Sequence, residues 1–327
     1  MARVFRLFVD ESGELESSDP SEVVVVAGLL LPRELADAPI RAAFERAAPY
    51  WPWPHHASVL QYGVVHALAA RIRGRDAISM PHSLHEDTLE DLIRWGDLLA
   101  RALEHDDVGR NLLPDFDRAL RDGKNPRVET THRLARRARK LRPEVSSNLD
   151  VYASEVETDV AEALGRTLAS YEGTVALLAE VQCHVPVHHP EHRYLDLLGA
   201  LHRLARRAAN SLGGEIDLDL RVSRRSVEDT LGPRPLDVYD APWVLGTHRP
   251  ADGVRITGFD VEPYRGLDCA AGYVAVDFAA IKVRRAFKAH QPPGAEQVAA
   301  RIRQETGLPM RLGVHREVLL ERVGVPS

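Results

Sequence analysis

The stretch FVDESG, residues 8–13, ends a hydrophobic run on two adjacent carboxylates, Asp10 and Glu11, followed by Ser12 and Gly13. Mg²⁺ and Mn²⁺ prefer oxygen ligands and need few carboxylates. Two such ions ~4 Å apart activate a water and stabilise the leaving oxygen in phosphodiester cleavage. That chemistry gathers several carboxylates from distant parts of a chain. Neighbours in a strand point to opposite faces, so Asp10 and Glu11 share one ion only where the chain bends at once. Ser12-Gly13 makes such a bend easy. The alternative is a solvated hairpin turn in which both charges meet water.

Asp277 is the second acid of interest. It stands in the apolar segment GYVAVDFAAI, where an unpaired carboxylate is costly to bury. The residue one helical turn on is Ile281, so no cation occupies the ideal spacing. A metal, a nearby cation such as Lys282 or Arg284, or a backbone amide would each account for it. His56, in HHAS, suits proton transfer or metal support, and equally a helix cap or packing on Trp51 or Trp53. The run CHVPVHHPEH, with Cys183, His184, His188, His189 and His192, lacks the paired spacing of a zinc site. GLDC and LGG lack phosphate-loop spacing. THRLARRARKLR, residues 131–142, is basic without an acid. As a helix it puts Arg133, Arg136, Arg137 and Lys140 on one broad face. A phosphate backbone lying there would bind in a salt-sensitive way, or the face would pair with acidic helices nearby.

These residues need a scaffold. Residues 3–10 and 23–31 read as strands joined by a Gly-, Ser- and Pro-rich link. A helix is expected from Pro32 to about Ala47. From 58 to 172 only helical signals occur, a length too great for a plain loop. Sheet signals return at 174–187. A helix ended by Gly213 and Gly214 follows, then strands in EIDLDLRVSRR and GVRITGFDVEP, then a long helix through Asp277. Residues after Gln291 suggest a further helix and a short strand. The order implies one layered α/β core, 1–57 with 174–290, interrupted by a helical insertion at 58–173 and followed by an extension at 291–327.

Composition is compatible with this. The chain has 327 residues, 44% hydrophobic and 28% charged, which favours a packed core over disorder. Its formal net charge of -6 is not that of a protein that coats nucleic acid, although charge concentrated on one face still permits that partner. Two cysteines exclude a disulfide framework and suit a reducing cytoplasm. No secretory signal or membrane span is read.

The strand ending in Asp10, Glu11, Ser12 and Gly13, the His56-Ala57 pair and Asp277 in VAVDFAAIKVRR together resemble the bacterial family called domain of unknown function 3800. The resemblance covers residues 1–60 and 174–288. It implies an RNase H-like mixed sheet flanked by helices and a metal-dependent nuclease-like site with Asp10 and Asp277 as ligands. Two departures accompany it. Val274 stands where the family commonly has Gln. The strand in EIDLDLRVSRR puts Ser223 where a further acid is implied, with Asp217, Asp219, Glu228 and Asp229 nearby.

The expectation is therefore a cytoplasmic Mg²⁺- or Mn²⁺-dependent phosphodiesterase acting on DNA or RNA. Asp10 and Asp277 would hold metal, with Glu11 as ligand or water-orienting base, Asp219 as a third acid and His56 in support. The alternative is a non-catalytic scaffold of the same fold. It would bind nucleic acid or a protein partner in a mobile-element or defence system.

Overall fold

The computed structural model describes residues 3–13, 23–33, 37–54, 56–78, 86–169, 176–183, 204, 216–223, 254–262, 270–289 and 310–314. The chain divides into two compact units, Met1–Asp37 with Leu164–Ser327, and Ala38–Ala163.

The first unit is mixed α/β. Its strands are β1 (Arg3–Ser12), β2 (Val23–Pro32), β3 (Ala176–Cys183), β4 (Ile216–Ser223), β5 (Val254–Glu262) and β6 (Met310–Val314). They form one sheet in the order β5-β4-β1-β2-β3-β6. β2 is antiparallel to both its neighbours, and every other pairing is parallel. β1 thus lies centrally between the hairpin partner β2 and the later strand β4.

The run VVVVAGLLL of β2 has no polar alternation because both its faces are covered, and Val25 through Leu31 are buried wherever they carry an apolar side chain. β1 is similarly enclosed: Phe5, Leu7 and Val9 are buried on one face and Phe8 on the other. The helix α7 (Ala270–Ala289) packs on β1, β2 and β3. Its first turn seats Gly272 against the Phe8 ring, where a Cβ would come within 2.5 Å of the ring carbons. Tyr273 meets Phe8 edge-on, with ring centroids 5.2 Å apart. Residues 271–280 are buried all round, as a helix covered on more than one side must be.

The second unit is helical: α1 (Ala38–Ala47), a 3-10 helix (Ala57–Gln61), α2 (Gly63–Ile78), α3 (Glu86–Glu104), α4 (Asp107–Arg121), α5 (Val128–Leu141) and α6 (Pro143–Ala169), the last running past Ala163 into the first unit. α3, α4 and α5 bury one stripe each, including Leu99 and Leu103, Phe116 and Leu120, and Leu134 and Ala138. Arg71 Nη2 of α2 donates to both carboxylate oxygens of Asp117 in α4, each at 2.5 Å. A polar chain crosses this interior. The Tyr50 hydroxyl lies 2.9 Å from His66 Nδ1 and 2.9 Å from the Tyr152 hydroxyl. Burial lowers the His66 pKa to about 4. Burial also raises that of Tyr50, and pushes Tyr152 up to about 12.

Three boundaries differ from the sequence expectation. Pro32 closes β2, paired with Phe5, and the helix starts only at Ala38. A hydrophobic run paired to a neighbouring strand outweighs a proline's fit to a helix start. The helical unit begins at Ala38 rather than 58, so it takes in α1 and the Trp-Pro loop, whose Trp51 Nε1 donates to Asn125 at 2.8 Å. The region 291–327 is not wholly an extension, because β6 joins the sheet beside β3. The helix expected around Leu204 and the cluster from His184 to His192 fall almost entirely outside the described residues. Among the described residues no helix is long and apolar enough to cross a membrane.

Two consequences are measurable. Gly272→Val drives its side chain into Phe8, which Tyr273 already confines. The urea-unfolding midpoint should fall, with a loss of about 1–3 kcal/mol. His66 is held neutral in the fold, so its contribution is present above the usual histidine pKa of roughly 6.5 and is lost as pH falls toward 4. The melting temperature of the wild type should drop across that window, and His66→Gln should flatten the dependence.

Candidate functional site

β1 positions the first acid. Asp10 is 8% exposed and its Oδ1 accepts the Glu11 amide at 3.0 Å. The strand does not end there. Pairing with β2 continues through Glu11↔Val26 to Ser12↔Val25, and the chain turns only at Gly13, whose φ of 133° favours glycine. Asp10 and Glu11 therefore keep strand alternation and face opposite sides of the sheet. The expected immediate bend, which would have brought both to one ion, is absent from the strand.

Alternation also assigns the faces. Phe8 touches α7, so Asp10, two residues on, lies on the face that α7 covers. Asp277 is one helical turn beyond Tyr273, the Phe8 partner, and lies on the same side of α7. It is 3% exposed. Both acids thus belong to the packed layer between β1 and α7. Each is set off from the Phe8–Tyr273 contact by roughly 6–7 Å along its own element.

The sheet topology marks the Asp10 end. From β1 the chain builds outward through β2 and β3, whereas β4 and β5 add on the other side. The carboxyl ends of β1 and β4 thus flank a switch point, where open α/β sheets bind their ligands. On β4, Val222 pairs with Val9, and Ser223 comes next. Ser223 is in register with Glu262 at the end of β5. The sequence alone did not single out Glu262, because only the β4–β5 register brings it to this edge.

Asp219 takes a different role from the one expected. It pairs in register with Arg6, four residues and ~13 Å along β1 from Asp10. Its Oδ2 accepts Arg221 Nε at 3.1 Å and Nη2 at 2.9 Å, with Arg6 Nε at 3.9 Å. Two guanidinium groups therefore neutralise this carboxylate, which removes it from the third-acid position. Among the described residues no group of three His, Cys, Asp or Glu is gathered closely enough to hold a metal.

The remaining candidates belong to the helical unit. His56 caps the 3-10 helix: its Nδ1 accepts the Ser58 amide at 3.4 Å and lies 2.7 Å from Ser58 Oγ. Arg133, Arg136 and Lys140 are exposed on α5. Arg133 approaches Glu129 at 3.9 Å. Arg137 leaves this face. Its Nε donates to Asp106 at 2.8 Å, and Asp106 in turn caps α4 through the amides of Val108 and Gly109. The Arg137 guanidinium and these amides lower the Asp106 pKa to about 2. The expected four-residue basic face is thus reduced to three.

No protein-family model matches the chain, and no curated protein or solved structure matches it either.

The Asp219 assignment has a direct check. Asp219→Ala leaves Arg221 and Arg6 without this anion, at sites 17% and 24% exposed. Chemical denaturation should show a loss of about 1–2 kcal/mol, screened in part by solvent. Any metal-dependent activity of the folded variant should equal that of the wild type.

Proposed function

We propose that the chain is a cytoplasmic, RNase H-like nuclease that uses Mg²⁺ or Mn²⁺ to hydrolyse phosphodiester bonds of DNA or RNA. One observation carries this reading: a buried carboxylate, Asp10, at the carboxyl end of the central strand and at the switch point of the sheet. The single reversed strand β2 and the order β3-β2-β1-β4-β5 are in keeping with an RNase H-like core, and the resemblance to domain of unknown function 3800 points the same way.

In this proposal Asp10 and Asp277 hold metal. Carboxylate oxygens suit these hard ions, which keep several waters and take only one or two protein carboxylates each. Bound there, the metal would supply an activated water and stabilise the leaving oxygen. Glu11, on the other face, is assigned no ligand role. Arg133, Arg136 and Lys140 offer phosphate contacts on the helical unit.

The second reading is a non-catalytic scaffold of the same fold that binds nucleic acid or a protein partner. The neutralisation of Asp219 by Arg6 and Arg221 favours it.

Labelled single- and double-stranded DNA and RNA, incubated with Mg²⁺, Mn²⁺ or chelator, separate the two. The nuclease reading expects cleavage that chelator abolishes and that falls on the order of 100-fold or more in Asp10→Asn and in Asp277→Asn. Equal inactivity of folded wild type and both variants, with nucleic-acid binding retained, selects the scaffold.

A further inference from the structure

Ser58 is 6% exposed and its hydroxyl sits between two imidazoles. His56 Nδ1 is 2.7 Å from Ser58 Oγ, and His132 Nε2, from α5, is 3.4 Å away. The protons on this chain have a defined direction. His56 Nδ1 accepts the Ser58 backbone N–H, so it carries no proton and the neutral ring is protonated at Nε2. The Ser58 hydroxyl then donates to His56 Nδ1, and its lone pairs remain to accept from His132 Nε2–H. A serine hydroxyl that gives its proton to a neutral imidazole stands as a nucleophile beside a base, and the His132 contact fixes where its oxygen sits.

A cap alone requires only an acceptor on His56, and the second imidazole exceeds that need. His132 is held from behind. Its ring packs on Tyr62 with centroids 5.2 Å apart, and the Arg139 guanidinium lies 5.3 Å over the same Tyr62 ring. Asp150 anchors Arg139 at 2.6 Å. His56 and His132 are both half-buried, so the relay reaches the surface at its two ends. One turn along α5 from His132 stands the exposed Arg136, with Arg133 and Lys140 on the same open side, which favours an anionic substrate.

We propose that Ser58 is the nucleophile of a metal-independent phosphate-ester site in the helical unit, with His56 as its general base. Ser58 Oγ forms a bond to phosphorus as its proton passes to His56 Nδ1. The bond from phosphorus to the ester oxygen breaks, and the departing oxygen takes the proton from His56. Water then adds to phosphorus and gives one proton to His56 Nδ1, the P–Oγ bond breaks, and the Ser58 oxygen takes that proton from His56. This site does not rest on the metal-dependent reading and would operate in chelator.

The test uses the full chain in chelator with a fluorophosphonate probe, which bonds a nucleophilic serine at phosphorus and releases fluoride. Intact mass and peptide mapping should show one adduct, on Ser58, absent from Ser58→Ala. His56→Asn keeps a good cap acceptor but removes the base. It should melt near the wild type yet label roughly 100-fold more slowly. No adduct on Ser58 in the folded wild type would overturn the proposal. So would a folded His56→Asn variant that labels within about tenfold of the wild-type rate, since the relay would then be a cap alone.

Discussion

The enclosure of β1 on both faces is the constraint from which the rest of the first unit follows. A central strand packed on one side by Phe5, Leu7 and Val9 and on the other by Phe8 leaves no solvated face for a polar residue. The α7 backbone comes close to Phe8 because residue 272 has no side chain, and Tyr273 then closes on the ring from the edge. Under these conditions a charged residue can enter β1 only near its end or beside a partner. Arg6 meets the second condition through Asp219. Asp10 meets the first, one strand-end turn before Gly13.

Charge pairing commits several acids to structural roles. Asp219 is committed to Arg221 and Arg6, Asp117 to Arg71, and Asp106 to Arg137 and two helix amides. In each case the carboxylate fixes local architecture: a strand-to-strand tie, a helix-to-helix tie and a helix start. The depressed pKa of Asp106 records how strongly its charged form is favoured. Asp10 and Asp277 lie in the layer where β1 packs against α7.

The helical unit uses polar chains differently from the sheet. Tyr50, His66 and Tyr152 join three parts of its interior through hydroxyl and imidazole groups that burial keeps uncharged. His56, Ser58 and His132 form a second chain, half-buried at both ends. In the first, Tyr50 and His66 are buried and Tyr152 is half-buried, whereas in the second only Ser58 is buried.

The element types were legible from short-range pattern. VVVVAGLLL announced a doubly buried strand, the α5 segment announced an amphipathic basic helix, and FVDESG announced a strand closing on a glycine turn. Each depends on interactions within a few residues. The sequence also singled out Asp10, Asp277 and His56 as chemically unusual. Tertiary structure alone decided which side of the sheet Asp10 and Glu11 face, because two further paired residues carry β1 past the expected bend. It alone turned Asp219 into an arginine partner, drew Arg137 to Asp106 and set His132 against Ser58, 74 positions away. Those outcomes depend on strand register and helix packing, where one residue of slip reverses a face or exchanges a partner, and no local pattern encodes that choice.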